Sequence, residues 1–188
     1  MPHALIALLF YLSQPFWETK PPERWTGHEI ETVRSASPWV QPAGRDPEVL
    51  VYLATAAPIE EAEAELRLRT RKTLADPDPD YADFLRLNRE TVLVLAIPWA
   101  EPLRFGTEAE RKRMEDESVM IVSRKTFPLV GHFPPSQSDP VLRLVFPREV
   151  KPADKSVLFR LYLPGIPFPE REVEFRTKDL MYHGKLEM

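Results

Sequence analysis

From Ser118 to the C-terminus the chain breaks into six short segments rich in β-branched and aromatic residues: SVMIVSR, TFPLVGHF, PVLRLVFP, SVLFRLYLP, REVEFRT and DLMYHGKLEM. No helix-length periodicity separates them. Strands that follow one another without intervening helices favour antiparallel pairing, so this stretch alone restricts the fold to antiparallel sheet. The cleanest alternation places Val173, Phe175 and Thr177 on an inner face and Glu172, Glu174 and Arg176 on an outer one. The 21 prolines against 6 glycines act in the same sense, because proline fixes extended backbone and stiff loops. PSQSDP (135–140) and LPGIPFPE (163–170) read as turns or loops.

The first half adds two further strands and several helices. PEVLVYLATAAP (47–58) and TVLVLAIPW (91–99) are β-rich runs bounded by turn signals. Thr26 with Glu29, and Thr107 with Glu110, have the spacing of a capping box, in which each side chain satisfies a backbone amide of the other. Between the strands, IEEAEAELRLRTRKTLA is acidic early and basic late, which complements a helix dipole, and Glu63–Arg67 and Glu65–Arg69 are oriented i,i+4 pairs. Its apolar face (Ile59, Ala62, Leu66) is narrow. DYADFLRLNRE is a second helical segment with Phe84, Leu85 and Asn88 near one side. TEAERKRMEDE has scarcely any apolar face and reads as a short solvated helix or an excursion from the body. The expected fold is therefore mainly β with inserted helices, an α+β chain built on an antiparallel β-sandwich of about eight strands. A single curved sheet packed on the helices is the alternative. Residues 16–188 form one domain in this reading, with helical insertions at about 58–90 and 107–117.

Several functions are excluded or left without support. The formal charge is −4 and Lys and Arg are interleaved with Glu and Asp, so no basic face offers itself to nucleic acid. The absence of cysteine removes disulfides, thiolate metal sites and cysteine nucleophiles. No G-x-S-x-G, P-loop or G-x-G-x-x-G run occurs, which argues against an enzyme, although the 29 acidic residues leave a carboxylate-dependent hydrolase as an alternative. Asp76, Asp78 and Asp80 alternate as in a calcium loop, but Tyr81 stands where that loop needs glycine and Leu87 where it needs a bidentate glutamate. Capping of the following helix is the better account. His3, His28, His132 and His183 are too scattered for a metal centre. No metal or cofactor is expected. Trp17, Trp25, Trp39 and Trp99 are the least ordinary residues: they suit either an aromatic binding surface for a protein or glycan, or anchors that fill the core and pin a terminal arm.

The N-terminus opens with nine apolar residues, Ala4–Leu12. A membrane-spanning helix needs about 20, whereas a secretory signal core takes roughly 7–15. MPH brings no positive charge and no small-residue cleavage site follows, so a buried N-terminal strand or helix also stays open. RWTGHEIETVRSASPWVQPAG, with its helix followed by Ser-Pro-Trp, and REVEFRTKDLMYHGKLEM, with Met-x-Tyr-x-Gly-Lys-Leu in its last strand, resemble the two ends of a group of uncharacterised exported acidobacterial proteins. LRLVFPR is a weaker match between them. Members of that group open with a leader, so the resemblance implies removal of residues 1–15 as a signal peptide and a periplasmic or secreted location, with a cytoplasmic one as the alternative. It brings no activity and no functional residue. The expectation is an exported, non-enzymatic binding or interaction module of the cell envelope. The alternatives are the hydrolase and a structural subunit that pairs through its C-terminal strand.

Overall fold

The computed structural model describes residues 14–70, 78–101 and 104–188. Residues 1–13 of the expected signal peptide (1–15), and Asp76 of the acidic run, lie outside the described residues. The elements in chain order are α1 (Phe16–Thr19), α2 (Gly27–Ala36), β1 (Val40–Ala43), β2 (Val49–Leu53), α3 (Ala57–Thr70), α4 (Pro79–Asn88), β3 (Val92–Pro98), α5 (Glu108–Glu117), β4 (Val119–Val122), β5 (Lys125–Pro128), β6 (Gly131–Phe133), β7 (Val141–Pro147), β8 (Ser156–Tyr162), β9 (Glu170–Arg176), β10 (Met181–Tyr182) and β11 (Lys185–Leu186).

The strands form an α+β, mainly β architecture of antiparallel sheets. A five-stranded sheet has the order β1-β2-β3-β7-β6, a four-stranded sheet the order β5-β4-β8-β9, and β10 and β11 make a separate hairpin. Neither large sheet is closed. Between them lies the main core: Leu93, Leu95, Ile97, Leu144 and Phe146 from the first sheet meet Met120, Val157, Phe159, Val173 and Phe175 from the second. Phe159 packs on Phe146 and Phe175, at centroid separations of 5.2 and 6.1 Å. The second face of the five-stranded sheet is also covered: Val92, Val94 and Val145 pack under Tyr81, Phe84 and Leu85 of α4. That is why β3 is a continuous apolar run rather than an alternating one. β9 has one face in water and shows strict alternation from Glu170 to Arg176.

Among the described residues eleven strands stand where about eight are expected, because β1 (Val40–Ala43) forms in a stretch not read as a strand and two segments split. TFPLVGHF becomes β5 and β6, which belong to different sheets. The C-terminal segment folds back through His183 and Gly184, both at positive φ, to give β10 and β11. The 47–58 run is strand only over Val49–Leu53, and the helix opens at Ala57 with Pro58 in its first turn, where a missing N–H costs nothing.

The helix termini follow the local rules. Thr26 and Glu29, and Thr107 and Glu110, make complete capping boxes. Asp78 caps α4, accepting from the amides of Asp80 and Tyr81. In α3, Glu65 and Arg69 pair at 2.8 Å and Glu63 and Arg67 at 3.6 Å. α5 is neither free nor merely solvated: its single apolar residue of size, Met114, is fully buried in the main core. No helix among the described residues is long and apolar enough to cross a membrane.

Candidate functional site

Three of the four tryptophans come together and the fourth stands apart. Trp39 ends the approach to β1 and is completely buried. Trp17 of α1 meets it edge-on at 5.8 Å, Phe16 contacts Trp17 at 5.0 Å and Trp25 at 5.7 Å, and Tyr182 approaches Trp39 at 6.2 Å. Two indole N–H groups are fixed by backbone: Trp25 Nε1 donates to the Lys20 carbonyl at 3.0 Å and Trp39 Nε1 to the Glu187 carbonyl at 2.9 Å. Buried indoles with satisfied N–H groups are anchors. Trp25 and Trp39 thus join the N-terminal arm, the C-terminal hairpin and the core, leaving Trp17, half-buried, as the member that meets solvent. Trp99 lies beyond β3, nearly buried, against Phe105 at 5.5 Å.

Trp17 lines a groove of about 840 Å³ that runs between β1 and β9. Glu18, Gln41, Glu174, Arg176 and Asp179 contribute its polar groups, and Pro38, Val40 and Met181 its apolar ones. Both strands are sheet edges, but their outward backbone groups differ. In β1 the Leu53 amide bonds the Trp39 carbonyl at 3.0 Å, so in this register Val40 and Pro42 face away from β2. The Val40 amide already donates to the Ser37 carbonyl at 3.0 Å, and Pro42 has no N–H. The outward backbone of β1 therefore offers the groove no donor. In β9, the bonds from Leu163 to Pro169 and from Thr177 to Lys155 set the alternation. Glu172, Glu174 and Arg176 then direct their N–H and C=O groups away from β8, and their amides make no hydrogen bond among the described residues.

The carboxylates around the groove are held in place. Glu18 accepts from the His183 amide at 3.1 Å to each oxygen, Arg176 pairs with Asp179 at 2.8 Å, and the Ser156 hydroxyl donates to Glu174. Three carboxylates against one guanidinium give the groove an acidic excess. Beneath it the Tyr182 hydroxyl donates to Glu61 at 2.6 Å, and burial pushes the Glu61 carboxyl above its usual range. A raised carboxyl in the folded state opposes folding once pH passes the ordinary glutamate value of roughly 4.3. Glu61→Gln, which keeps an acceptor for Tyr182, is accordingly expected to melt higher than the parent at neutral pH and to converge with it below about pH 4. Melting curves across that range check this.

Among the described residues no group of three His, Asp or Glu side chains is placed to hold a metal ion. His132 on β6 approaches Glu115 at 3.5 Å and burial lowers its pKa, His28 lies exposed on α2, and His183 sits in the β10–β11 turn. The signals that sequence reading missed are tertiary. The edge position of β9 depends on pairings far apart in the chain, and Tyr81 gave no hint of its cation–π contact with Arg143, at 4.2 Å. No protein-family model matches the chain, and neither a curated protein nor a solved structure matches it.

Proposed function

We propose that this protein is an exported, non-enzymatic interaction module of the cell envelope, which captures an extended peptide segment of a partner protein along β9. The observation that carries the reading is the unpaired outward edge of β9 beside Trp17, in a groove whose opposite wall, β1, has no backbone donor to offer. A strand added to such an edge gains main-chain hydrogen bonds, while pockets beside it select side chains. Trp17 and Met181 would take an apolar side chain, and the carboxylate excess favours a basic one.

The test uses peptides of alternating apolar and basic residues titrated against the protein, followed by indole fluorescence. Glu174→Pro removes an outward N–H and no bond of the β8–β9 ladder, so the fold should survive. Losing that one main-chain bond, at about 0.5–1.5 kcal/mol, is expected to weaken capture by roughly 2–13-fold. Equal affinity for the parent and Glu174→Pro would sink strand addition. Export is read separately, by N-terminal sequencing of the protein from its host: a chain that keeps Met1 and fractionates with the cytoplasm overturns that half.

A further inference from the structure

Arg148 and Lys185 are cations that no carboxylate answers. Arg148 follows β7 and is half-buried. Its Nε donates to the Val92 carbonyl at 3.0 Å, and its two terminal nitrogens make no hydrogen bond or ion pair among the described residues. Burial, and after it the charge of Arg89, holds the Arg148 pKa below the usual arginine value. Arg89 is itself engaged by Glu60. Glu187, Glu90 and Glu60 act on Arg148 only from a distance, since none of them forms an ion pair with it. Lys185, exposed on β11, likewise has no partner among the described residues. A half-buried guanidinium without a counter-ion is a group that gains from a bound anion.

The two cations share a recess of about 400 Å³ between the start of β3, the chain leaving β7 and the C-terminal hairpin. That volume is in the range of small-molecule sites. Leu93 and Met188, both buried, Val150 and Leu186, both half-buried, and the exposed Pro152 and Met181 give it apolar walls. No Asp or Glu side chain lines it, in a chain whose formal charge is −4. The groove along β9 has the opposite character, with three carboxylates around it. With Nε committed to Val92, Arg148 has Nη1 and Nη2 left, the fork that a carboxylate accepts with both oxygens.

We propose that this recess binds a straight-chain monocarboxylate of about eight to twelve carbons, its carboxylate on the Arg148 fork and its tail on the apolar walls. Each methylene taken out of water tightens binding roughly four-fold. The charge selects the head group, because a carboxylate gives the unanswered guanidinium a counter-ion and a neutral head of the same length does not. Lys185 adds a weaker, solvent-screened attraction. Met181 borders both this recess and the β9 groove. The proposal is nonetheless independent of peptide capture, since no group of the β9 edge takes part in it.

Isothermal titration of decanoate into the protein is expected to give a single site with a dissociation constant on the order of 10–100 µM. Octanoate, two methylenes shorter, should bind about 10–15-fold more weakly. Decanol, with the same tail and no charge, should bind at least about 10-fold more weakly. Arg148→Gln is expected to weaken decanoate by at least about 10-fold and to leave decanol unchanged. A general disturbance of the fold would move both ligands together. Lys185→Glu, at an exposed position, should weaken decanoate by about 3-fold or more, and it keeps the test open should Arg148→Gln fail to fold. Decyl phosphate separates the two anionic heads and is expected to bind no tighter than decanoate. The proposal is overturned by the absence of decanoate binding up to about 1 mM, or by an affinity that ignores chain length. Decanol binding as tightly as decanoate, an Arg148→Gln protein that binds decanoate like the parent, or a preference for decyl phosphate would overturn it equally.

Discussion

Trp39→Ala is expected to lower the unfolding free energy by about 3–5 kcal/mol, the usual cost of truncating a fully buried aromatic residue to alanine. Three attachments are lost at once. The indole is inaccessible to solvent, its N–H holds the Glu187 carbonyl at 2.9 Å, and its ring receives Trp17 on one side and Tyr182 on the other. Beyond these rings the arm bearing α1 meets the C-terminal hairpin through Glu18, which accepts from the His183 amide, while Glu187 ties the hairpin to α3 by accepting from the Ala57 amide at 3.3 Å. A domain of this kind has about 5–15 kcal/mol in all, so the variant should be close to unfolding at 37 °C. Trp39→Phe separates the contributions. It keeps most of the packing and leaves the Glu187 carbonyl without its donor, a loss of about 1–3 kcal/mol. Urea denaturation of the three proteins at one pH measures both steps. An alanine variant within 1 kcal/mol of the parent would mean that the groove above Trp39 does not depend on it.

Local chemistry was legible in the sequence and long-range pairing was not. The capping boxes at Thr26 and Thr107, the i,i+4 pairs of α3 and the alternation of β9 each depend on residues within a turn or a strand of one another. The sheet order depends on β3 finding β7 across the 42 residues between Pro98 and Val141, and on the chain changing sheets between Pro128 and Gly131. Nothing between those residues announces a change of partner. α5 forms as the capped short helix the sequence indicates, but its docking was illegible for a related reason. Its sequence is almost wholly polar, yet one methionine reaching the core suffices to dock it. The tryptophans were recognised as important but not sorted. Trp39 and Trp99 both follow a proline, one just before β1 and the other just after β3, and only the folded chain shows that one supports the β9 groove while the other packs apart from it on Phe105. Phe168 lay in a segment read as loop. The prolines on both sides mark a stiff turn, but the positive φ of Phe168 is held by Arg171 donating to the Pro167 carbonyl and the Leu163 amide donating to the Pro169 carbonyl, both from outside the tripeptide.

Arg143→Met is the second large effect. Arg143 and Asp139 are 7% and 8% exposed and form a two-pronged pair, with Nη1–Oδ2 at 2.7 Å and Nη2–Oδ1 at 3.2 Å. The same carboxylate accepts from the Asp78 amide at 2.9 Å, at the residue that caps α4, and the guanidinium lies over the Tyr81 ring. The pair therefore sits where α4 docks on the five-stranded sheet. Removing one partner strands the other: a buried carboxylate without its counter-ion costs about 3–5 kcal/mol. Removing both is different, because two desolvation penalties disappear with the attraction. The double variant Arg143→Met/Asp139→Asn is expected to recover a large part of the loss, giving a coupling of about 1–3 kcal/mol between the sites. Guanidinium denaturation of all four proteins at neutral pH measures the coupling. A coupling near zero would show that the lost packing of the arginine stem over Tyr81, rather than the stranded charge, carries the effect.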